Sequence, residues 1–397
     1  MLNAMNEYYT LAWSNTSLVL YIIMGIVCWL CCHYAKRKER KTGIVRKINS
    51  VEYWPWIITW SILAVFRYID SSIGGTDAPS YINYFENCLD MADDTTDFAF
   101  MWLNRIIRYF TDDYHIFFLI FYLFVIFSFI VFINEFSRCE SSAIPLCILF
   151  YLYLRSFTSI RSNLAISFLL IALVALHRKK YFWTILLAIL SIFSHVSAVA
   201  YVAFILFFYL YKERKMGLGK SIAIFSLAFA AAVVAQTILK TGAFDFLRNI
   251  GSGAYLSYAQ RFDPAEFFTN YSVSNLPQLA LFIVMIIFRK QIDKVVENAS
   301  EKDKTRIQFV RLMCYYDFFI VPIITLLSIY RGYEYFYIAR LVMWGEIIQI
   351  VKKYFNQQSR RIVSFGFMVF FIVWMYGRIE ATWESSHLMP YVFGLFK

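Results

Sequence analysis

The chain has 397 residues, of which 60% are hydrophobic, 20% aromatic and only 16% charged. Soluble domains are about 45–50% apolar and about 25% charged, so this composition excludes an ordinary soluble protein and predicts an all-α polytopic membrane protein. The formal net charge of +11 does not indicate a nucleic-acid partner, because most lysines and arginines lie in short loops between apolar segments, as the positive-inside rule predicts.

The hydropathy pattern predicts about twelve transmembrane or re-entrant helices, each about 13–22 residues long against the ~20 that cross a bilayer. The chain contains only 14 glycines and 7 prolines and shows no internal repeat. Residues 1–397 are therefore predicted to form a single transmembrane domain. The predicted segments are 17–34, 53–69, 114–134, 142–157, 160–176, 181–194, 196–211, 221–239, 276–288, 309–330, 336–351 and 362–378.

The basic residues also predict the orientation of the chain. The block KRKERK follows the first apolar segment and no positive charge precedes it, which argues against a cleavable signal peptide. Both termini are then expected on the outer side, with cytoplasmic loops at 33–52 and 289–308. The long outer loops are 70–113 and 241–275, and the second is long enough to act as a lid.

A chain break followed by a helix is predicted in the first outer loop. Gly74 and Gly75 interrupt the apolar pattern. Thr76 or Asp77 can then cap a helix whose first turn accommodates Pro79.

Three polar side chains share one face of that helix, because Asp77, Tyr81 and Tyr84 recur at positions i, i+4 and i+7. Asp77 acts either as a cap alone or, with the two tyrosines, as a ligand for sugar hydroxyls at the mouth of a cavity. The aspartates that follow, Asp97 among them, match no calcium or magnesium motif and are predicted to form a solvated face.

Two arginines lie in an apolar segment that reads LYLRSFTSIRSNLAISFLL. An arginine at the centre of a bilayer costs roughly 2.5–3.5 kcal/mol, so Arg155 and Arg161 require an explanation. Basic residues flank 142–176 on both sides, yet two crossings need ~40 residues. We therefore predict a tight hairpin with both arginines at its tip.

The next apolar segment, 181–211, also has basic residues at both ends, so the chain must turn back within it. The polar residues around His195 mark the turn, and such backbone is tolerated only in a cavity or inside the protein. His195 either caps a helix end or lies near the depth of the two arginines with a chemical role.

An aromatic stripe marks one of the last helices. Tyr333, Tyr337, Arg340 and Trp344 recur at helical spacing. An interfacial aromatic belt explains the tyrosines but not Arg340. Carbohydrate stacking on the rings, with the arginine binding an anion, explains both.

Outside the cytoplasmic loops the basic residues are nearly all arginines, the side chain best suited to bidentate phosphate or carboxylate binding. The sequence contains no HExxH, GxSxG or Walker motif, which excludes common protease, α/β-hydrolase and ATPase classes.

The chain resembles the Wzy/EpsG-like polysaccharide polymerases of bacterial membranes. The matching segments are GTDAPSYINYF, YLRSFTSIRSNLAISFLLIAL, SIFSHVSAVAYVAF, the late YIAR and the terminal PYVFGLF. The family's central motif usually has Arg-Gln before a small-residue helix, whereas here Arg161 is followed by Ser162.

This resemblance implies a GT-C-like glycosyltransferase in the bacterial cytoplasmic membrane, with its site facing the cell exterior. It would join oligosaccharide repeat units carried on undecaprenyl diphosphate, using a lipid-linked donor and acceptor. A chain-length regulator and a flippase are possible partners, and no metal or other cofactor is expected.

The resemblance also implies roles for individual residues. Arg155, Arg161 and Arg340 would bind the diphosphate, because fixed cations stabilise the charge that develops on the leaving group. Three further arginines would assist them: Arg67, Arg261 and Arg331. His195 is the first candidate base and Asp77 the second. The candidate sugar ligands are Tyr81, Tyr84, Tyr333 and Tyr337.

Other functions also fit these features. An O-antigen ligase or another lipid-linked-sugar glycosyltransferase would use the same chemistry. A flippase or transporter would also place arginines in a cavity, but such proteins usually have paired repeats and Gly/Pro-broken helices. A membrane O-acyltransferase would share a buried histidine.

Overall fold

The structure is a computed structural model in which the described residues are 2–44, 47, 49–71, 73–91, 97–137, 152–199, 201–202, 204, 276–319 and 336–363, with isolated positions within 223–234, within 365–374 and at 391. This part of the chain contains helices and no β-strand, as the composition predicts. Its helices are α1 (Leu2–Thr42), α2 (Trp54–Val65), α3 (Ala78–Asn87), α4 (Phe98–Phe110), α5 (Tyr114–Phe136), α6 (Leu152–Arg155), α7 (Ile160–His177), α8 (Tyr181–Ser194), α9 (Leu276–Ile287), α10 (Arg289–Glu297), α11 (Glu301–Phe319) and α12 (Tyr337–Tyr354).

Three helices of the described part are long and apolar enough to cross a membrane. They are the Val19–Thr42 portion of α1, all of α5 and all of α7. Two shorter apolar helices, α8 and Gln278–Ile287 of α9, accompany them. These helices support a helical membrane protein, while twelve crossings, a GT-C architecture and the positions of the termini stay predictions.

The helix boundaries agree with hydropathy where apolar runs end at polar turns. Helices α7, α8 and α9 begin and end within one residue of the predicted segments. The segment predicted at 53–69 is shorter, because α2 ends at Val65 and irregular backbone follows. Residues 70–113, predicted as an outer loop, contain α3 and α4, and residues 289–308, predicted as a cytoplasmic loop, contain α10 and the start of α11.

The core is formed by α7, which packs lengthwise against both α8 and α5. The Ser191 hydroxyl of α8 donates to the Ala165 carbonyl of α7 (2.7 Å), so a polar contact also joins these helices. Helix α5 contacts α2 on another side, and α11 and α12 pack together and reach α5. The core therefore joins the two halves of the described chain.

Polar contacts to Glu135 hold α5 and α7 together where both helices end. Glu135 accepts hydrogen bonds from Arg178 (2.9 and 2.5 Å) and contacts His177 Nδ1 (2.8 Å). Nearby in sequence, the Phe136 carbonyl accepts from Arg306, which also pairs with Glu346 at 2.9 Å. Arg306 belongs to a predicted cytoplasmic loop, yet it is buried between helices.

Helix α5 begins at a capped N-terminus, since the Asp113 carboxylate accepts a hydrogen bond from the His115 backbone N–H (2.9 Å). This bond holds the pKa of the Asp113 carboxyl below its usual value of 3.8, with the His115 ring, at 2.8 Å, acting in the same direction. A carboxyl whose pKa is lower in the folded state stabilises the fold at pH values above its unfolded-state pKa. This stabilisation is lost as the pH falls through the folded-state pKa.

We expect Asp113→Ala to destabilise the protein by about 0.5–1 kcal/mol at neutral pH, the low end for a cap because the side chain is half exposed. The difference from wild type should vanish as the pH drops below about 4. Thermal unfolding in detergent across that range measures it. Asp112→Ala is the matched control, since this exposed carboxylate pairs only with Arg108 among the described residues. Equal effects of both substitutions at every pH would contradict the capping role.

The break at Gly74 and Gly75 is confirmed, because both residues adopt positive φ, 89° and 111°. A Cβ on Gly75 would lie 2.4 Å from the Phe157 carbonyl oxygen, and one on Gly74 would lie 2.3 Å from that of Tyr68. Only glycine therefore allows this loop to touch the hairpin tip.

Gly75→Ala should destabilise the protein by about 1–3 kcal/mol from backbone strain alone, with the carbonyl clash adding to it. Gly25→Ala is the control, since a Cβ there meets nothing within 4 Å and alanine favours a helix. The midpoint of thermal unfolding, followed by size-exclusion chromatography of the detergent extract, separates the two variants. A Gly75→Ala midpoint at or above that of Gly25→Ala would rule out the close contact.

Candidate functional site

The loop between α2 and α3 is joined to the tip of the α6–α7 hairpin by Arg67. This side chain is buried, and its Nε donates to the Gly74 carbonyl (2.8 Å). Its Nη2 donates to the Phe157 carbonyl (3.5 Å), and its Nη1 donates to the Ala64 carbonyl. The guanidinium thus connects the end of α2, the glycine turn and the hairpin tip through backbone carbonyls.

Aromatic rings surround the same guanidinium. Its carbon lies 5.0 Å from the centroid of Phe118, 5.2 Å from Tyr122 and 4.6 Å from Phe157. Such cation–π contacts favour a cation that has been withdrawn from water. Arg67 is therefore held as an internal support of the site.

The turn predicted for the hairpin tip lies between α6 and α7, and residues 142–151 of the predicted first limb lie outside the described residues. Residues 156–158 form a turn, in which the Arg155 carbonyl accepts from the Thr158 N–H (3.3 Å) and hydroxyl (3.0 Å). The Arg155 side chain is half-buried. Arg161 follows in the first turn of α7, so both arginines lie at the tip, as predicted.

Arg161 forms an ion pair that sequence spacing does not reveal. Its Nη1 donates to Asp97 Oδ2 at 2.5 Å, and its guanidinium carbon lies 5.8 Å from the centroid of the Tyr81 ring. The Asp97 side chain is 8% exposed, whereas that of Arg161 is 41% exposed. The buried Nε of Arg161 has no hydrogen-bond partner among the described residues. This guanidinium is thus exposed at one edge and retains unused donors.

The predicted polar face of α3 provides the wall beside Arg161. Asp77 occupies the N-cap position of α3 without a side-chain capping bond, and its side chain is half-buried. Tyr81 and Tyr84 both contact Phe100 of α4, with ring centroids 5.7 and 5.5 Å apart. Tyr81 is buried and Tyr84 is half-buried. The structure therefore brings Tyr81 to Arg161 and holds Tyr84 one turn further along.

His195 occupies the predicted turn after α8. Its backbone N–H donates to the Ser191 carbonyl (3.1 Å), its backbone is extended, and a short 3-10 turn over Val196–Ala198 follows. The buried ring contacts the Ser197 hydroxyl through Nδ1 (2.7 Å), and the Ser197 N–H also points at Nδ1 (3.3 Å). That second contact favours Nδ1 as the acceptor and therefore the proton on Nε2. His195 thus occupies the C-cap position and has an oriented ring.

Arg340 lies in a separate buried ion pair between α11 and α12. Its Nε and Nη2 donate to the two oxygens of Asp317 at 2.5 and 2.8 Å. Gln278 of α9 donates to the same carboxylate at 3.1 Å. The arginine is 1% exposed. Arg340 is thus engaged bidentately by a protein carboxylate.

These groups lie within a region that matches a known family. The sequence model of the EpsG family matches residues 53–393. The chain belongs to the EpsG family. No curated protein and no solved structure matches the chain.

Membership of the EpsG family confirms the resemblance and indicates a membrane protein that acts as a polysaccharide polymerase of the glycosyltransferase type. The matched region includes the Arg161 cluster, His195 and the Arg340–Asp317 pair. It also includes Tyr391, whose hydroxyl donates to the Leu63 carbonyl at 2.7 Å. Tyr391 of the terminal PYVFGLF segment therefore contacts the end of α2.

Several of the predicted site residues lie outside the part of the chain that the structure describes. Arg261, Arg331 and Tyr333 lie outside the described residues, and Tyr337 begins α12 with only its backbone described. The lower part of the aromatic stripe is buried, since Trp344 packs against Phe367 at 5.0 Å between ring centroids.

Sequence reasoning missed the carboxylates that pair with the two arginines. Asp97 was assigned to a solvated acidic face, and this prediction is wrong because the carboxylate is buried against Arg161. The sequence signal for its burial was that Asp97 directly precedes the apolar helix α4. Asp317 lies in the apolar segment predicted at 309–330, where an ionisable residue usually has a partner. In the described part of the chain, no group of three His, Cys, Asp or Glu side chains could hold a metal ion.

Proposed function

We propose that this EpsG-family protein joins oligosaccharide repeat units carried on undecaprenyl diphosphate, releasing undecaprenyl diphosphate at each transfer. The observation that supports this most is the state of Arg161, a partly exposed guanidinium with unused donors beside Tyr81 and Asp97. Such a group can bind a diphosphate and stabilise its charge as it leaves.

The chemistry requires little beyond charge stabilisation and proton removal. A bond forms between the acceptor hydroxyl oxygen and the anomeric carbon of the growing chain. The bond between that carbon and the diphosphate oxygen breaks, and the diphosphate leaves with the electron pair. The hydroxyl proton passes to a base. Arginines are suited to the leaving group because they remain charged and bind phosphate bidentately.

The arginines divide into two roles in this proposal. Arg161 binds the diphosphate directly, with Arg155 beside it at the hairpin tip and Arg261 and Arg331 assisting. Arg67 is already engaged by three backbone carbonyls and supports the tip. Arg340 acts through its bond to Asp317, setting the potential and the packing of the site.

His195 is the first candidate base, and Asp77 is the second. With Nδ1 accepting from Ser197, the imidazole carries its proton on Nε2 and can donate to a substrate oxygen. The opposite tautomer, in which Nδ1–H donates to the Ser197 hydroxyl, leaves Nε2 able to accept a proton. The Ser197 contact can therefore orient the ring for either step.

If His195 is the base, His195→Gln should lower the polymerisation rate and flatten its pH dependence between about pH 5 and 8, where histidine changes charge. Rates measured across that range at matched protein levels are the test. Ser197→Ala is the control, because it keeps the imidazole and should retain a pH-dependent rate. A wild-type pH profile in His195→Gln would transfer the role to Asp77.

The tyrosines complete the proposed site by binding sugar. Tyr84, half-buried beside Phe100, offers an aromatic face and a hydroxyl, and Tyr81 lies beneath Arg161. In this proposal Tyr333 and Tyr337 also bind sugar. Aromatic rings provide large apolar contact area with a polar handle, which suits carbohydrate.

We further propose that this site lies at the outer face of the cytoplasmic membrane, in a GT-C-like bundle of about twelve helices. Donor and acceptor would both be lipid-linked, while a flippase and a chain-length regulator would act before and during polymerisation. No metal is needed if arginines carry the leaving-group charge.

Purified protein in lipid nanodiscs, given undecaprenyl-diphosphate-linked repeat units, tests the proposal. We expect a ladder of longer lipid-linked chains together with free undecaprenyl diphosphate. Transfer only to a non-lipid-linked acceptor would indicate a ligase, and movement of intact lipid-linked units without bond formation would indicate a flippase. Either result would overturn the polymerase assignment.

A further inference from the structure

Helix α4 exposes an apolar face along its length. The exposed side chains recur with helical spacing and share one face: Phe98, Trp102, Ile106, Tyr109 and Phe110. The opposite face, which includes Phe100 and Asn104, is buried. At 13 residues α4 is about 20 Å long, too short to cross a bilayer. An amphipathic helix of this kind lies along a membrane interface.

The exposed face of α4 continues onto the exposed face of α8. The rings of Phe98 and Phe193 meet with centroids 6.0 Å apart. Along α8 the same apolar surface extends through Ile189, Ile185 and Phe182, all exposed. Since α8 is one of the apolar helices beside α7, its exposed side faces lipid. The two lipid-facing surfaces therefore meet along a seam, which is lined by Phe98, Trp102, Ile189 and Phe193.

The ion pair between Asp97 and Arg161 lies next to this seam. Asp97 immediately precedes Phe98, and its carboxylate holds the partly exposed Arg161. A ligand with an anionic head at Arg161 and a long apolar tail would have the tail at Phe98 and Phe193, because these are exposed apolar residues next to the ion pair.

We propose that the seam of Phe98, Trp102, Ile189 and Phe193 binds the polyprenyl chain of a lipid diphosphate whose head binds Arg161. This inference rests on the proposed function, and it names the path of the lipid between site and bilayer. A protein partner is less well matched, because the apolar face continues onto the exposed apolar side of α8, a helix of the membrane domain.

Photocrosslinking tests the seam in the full-length protein. Benzoylphenylalanine replaces Phe98 or Phe193 in the seam, and Phe182 or Tyr109 at the far ends of the same two helices. All four positions are exposed aromatic residues, and the two controls are more exposed (71% and 79%) than the two seam positions (47% each), so contact with bulk lipid alone would label the controls at least as strongly. The protein is placed in phosphatidylglycerol–phosphatidylethanolamine nanodiscs with radiolabelled undecaprenyl diphosphate as the probe.

We expect the two seam positions to be labelled about tenfold more than the two controls, the ratio of a modest binding preference. Excess unlabelled undecaprenyl diphosphate should abolish that difference, whereas excess uncharged undecaprenol should not. Equal labelling at all four positions would mean contact with bulk lipid only and would overturn the inference.

The wild-type nanodiscs are also assayed for polymerisation, which separates the two proposals. If polymer forms while labelling is uniform, the seam is wrong and the polymerase assignment stands. If the seam is labelled selectively and no polymer forms, the seam stands and the proposed function fails.

Discussion

Replacing Arg161 with alanine is expected to lower the rate of polymer formation by about 10²–10³-fold, the usual cost of removing one donor that stabilises a leaving or oxyanionic group. The reason is the state of this guanidinium, which is partly exposed and is bonded to Asp97 through Nη1. Arg161→Lys should recover only part of the rate, because an ammonium cannot bind a diphosphate in the bidentate geometry.

The measurement is the gel ladder of polymer made by each variant at matched protein levels. Arg289→Ala is the control, since this exposed arginine of α10 forms a surface pair with Asp293, and such pairs contribute about 0–1 kcal/mol to stability. A thermal unfolding midpoint recorded for both variants distinguishes lost chemistry from lost fold. Full-length polymer from Arg161→Ala would remove this residue from the diphosphate site.

Arg340→Ala is expected to destabilise the protein by about 3–5 kcal/mol, because it leaves Asp317 charged and buried without its bidentate partner. Such a loss is a large fraction of the about 5–15 kcal/mol that stabilises an ordinary domain, so the variant would be much easier to unfold. Loss of polymer in this variant alone would therefore not distinguish a role in catalysis from a role in folding.

A double variant separates the two roles of Arg340. Arg340→Met combined with Asp317→Leu replaces the ion pair by apolar side chains of similar volume, which is often neutral for stability. We expect the double variant to unfold near the wild-type midpoint and to make little polymer, because the guanidinium that the proposal assigns to the site is lost while the packing is kept. A stable double variant with wild-type polymer would show that the pair serves folding alone.

Much of the local structure could be predicted from sequence, because local signals decide it. The helices at 160–177 and 181–194 follow from apolar runs that end at polar or basic residues. The break at Gly74 and Gly75 requires positive φ, which glycine tolerates. The position of Arg155 and Arg161 at a hairpin tip followed from the number of residues between basic flanks.

The interactions of the site could not be predicted, because they join residues that are distant in the chain. Asp97 and Arg161 are 64 positions apart and Asp317 and Arg340 are 23 apart, and any acidic residue nearby could have been the partner. Arg67 illustrates the same limit, since its ligands are backbone carbonyls that every residue possesses.

The sequence by itself determined that this is a helical membrane protein, where several of its helices turn, and that arginines gather at one hairpin tip. Those properties depend on hydropathy, backbone freedom and the count of residues between charges. Only the tertiary structure decided which arginine has donors to spare. Burial and hydrogen bonding distinguish guanidinium groups that are chemically identical, and both are set by neighbours brought together through folding.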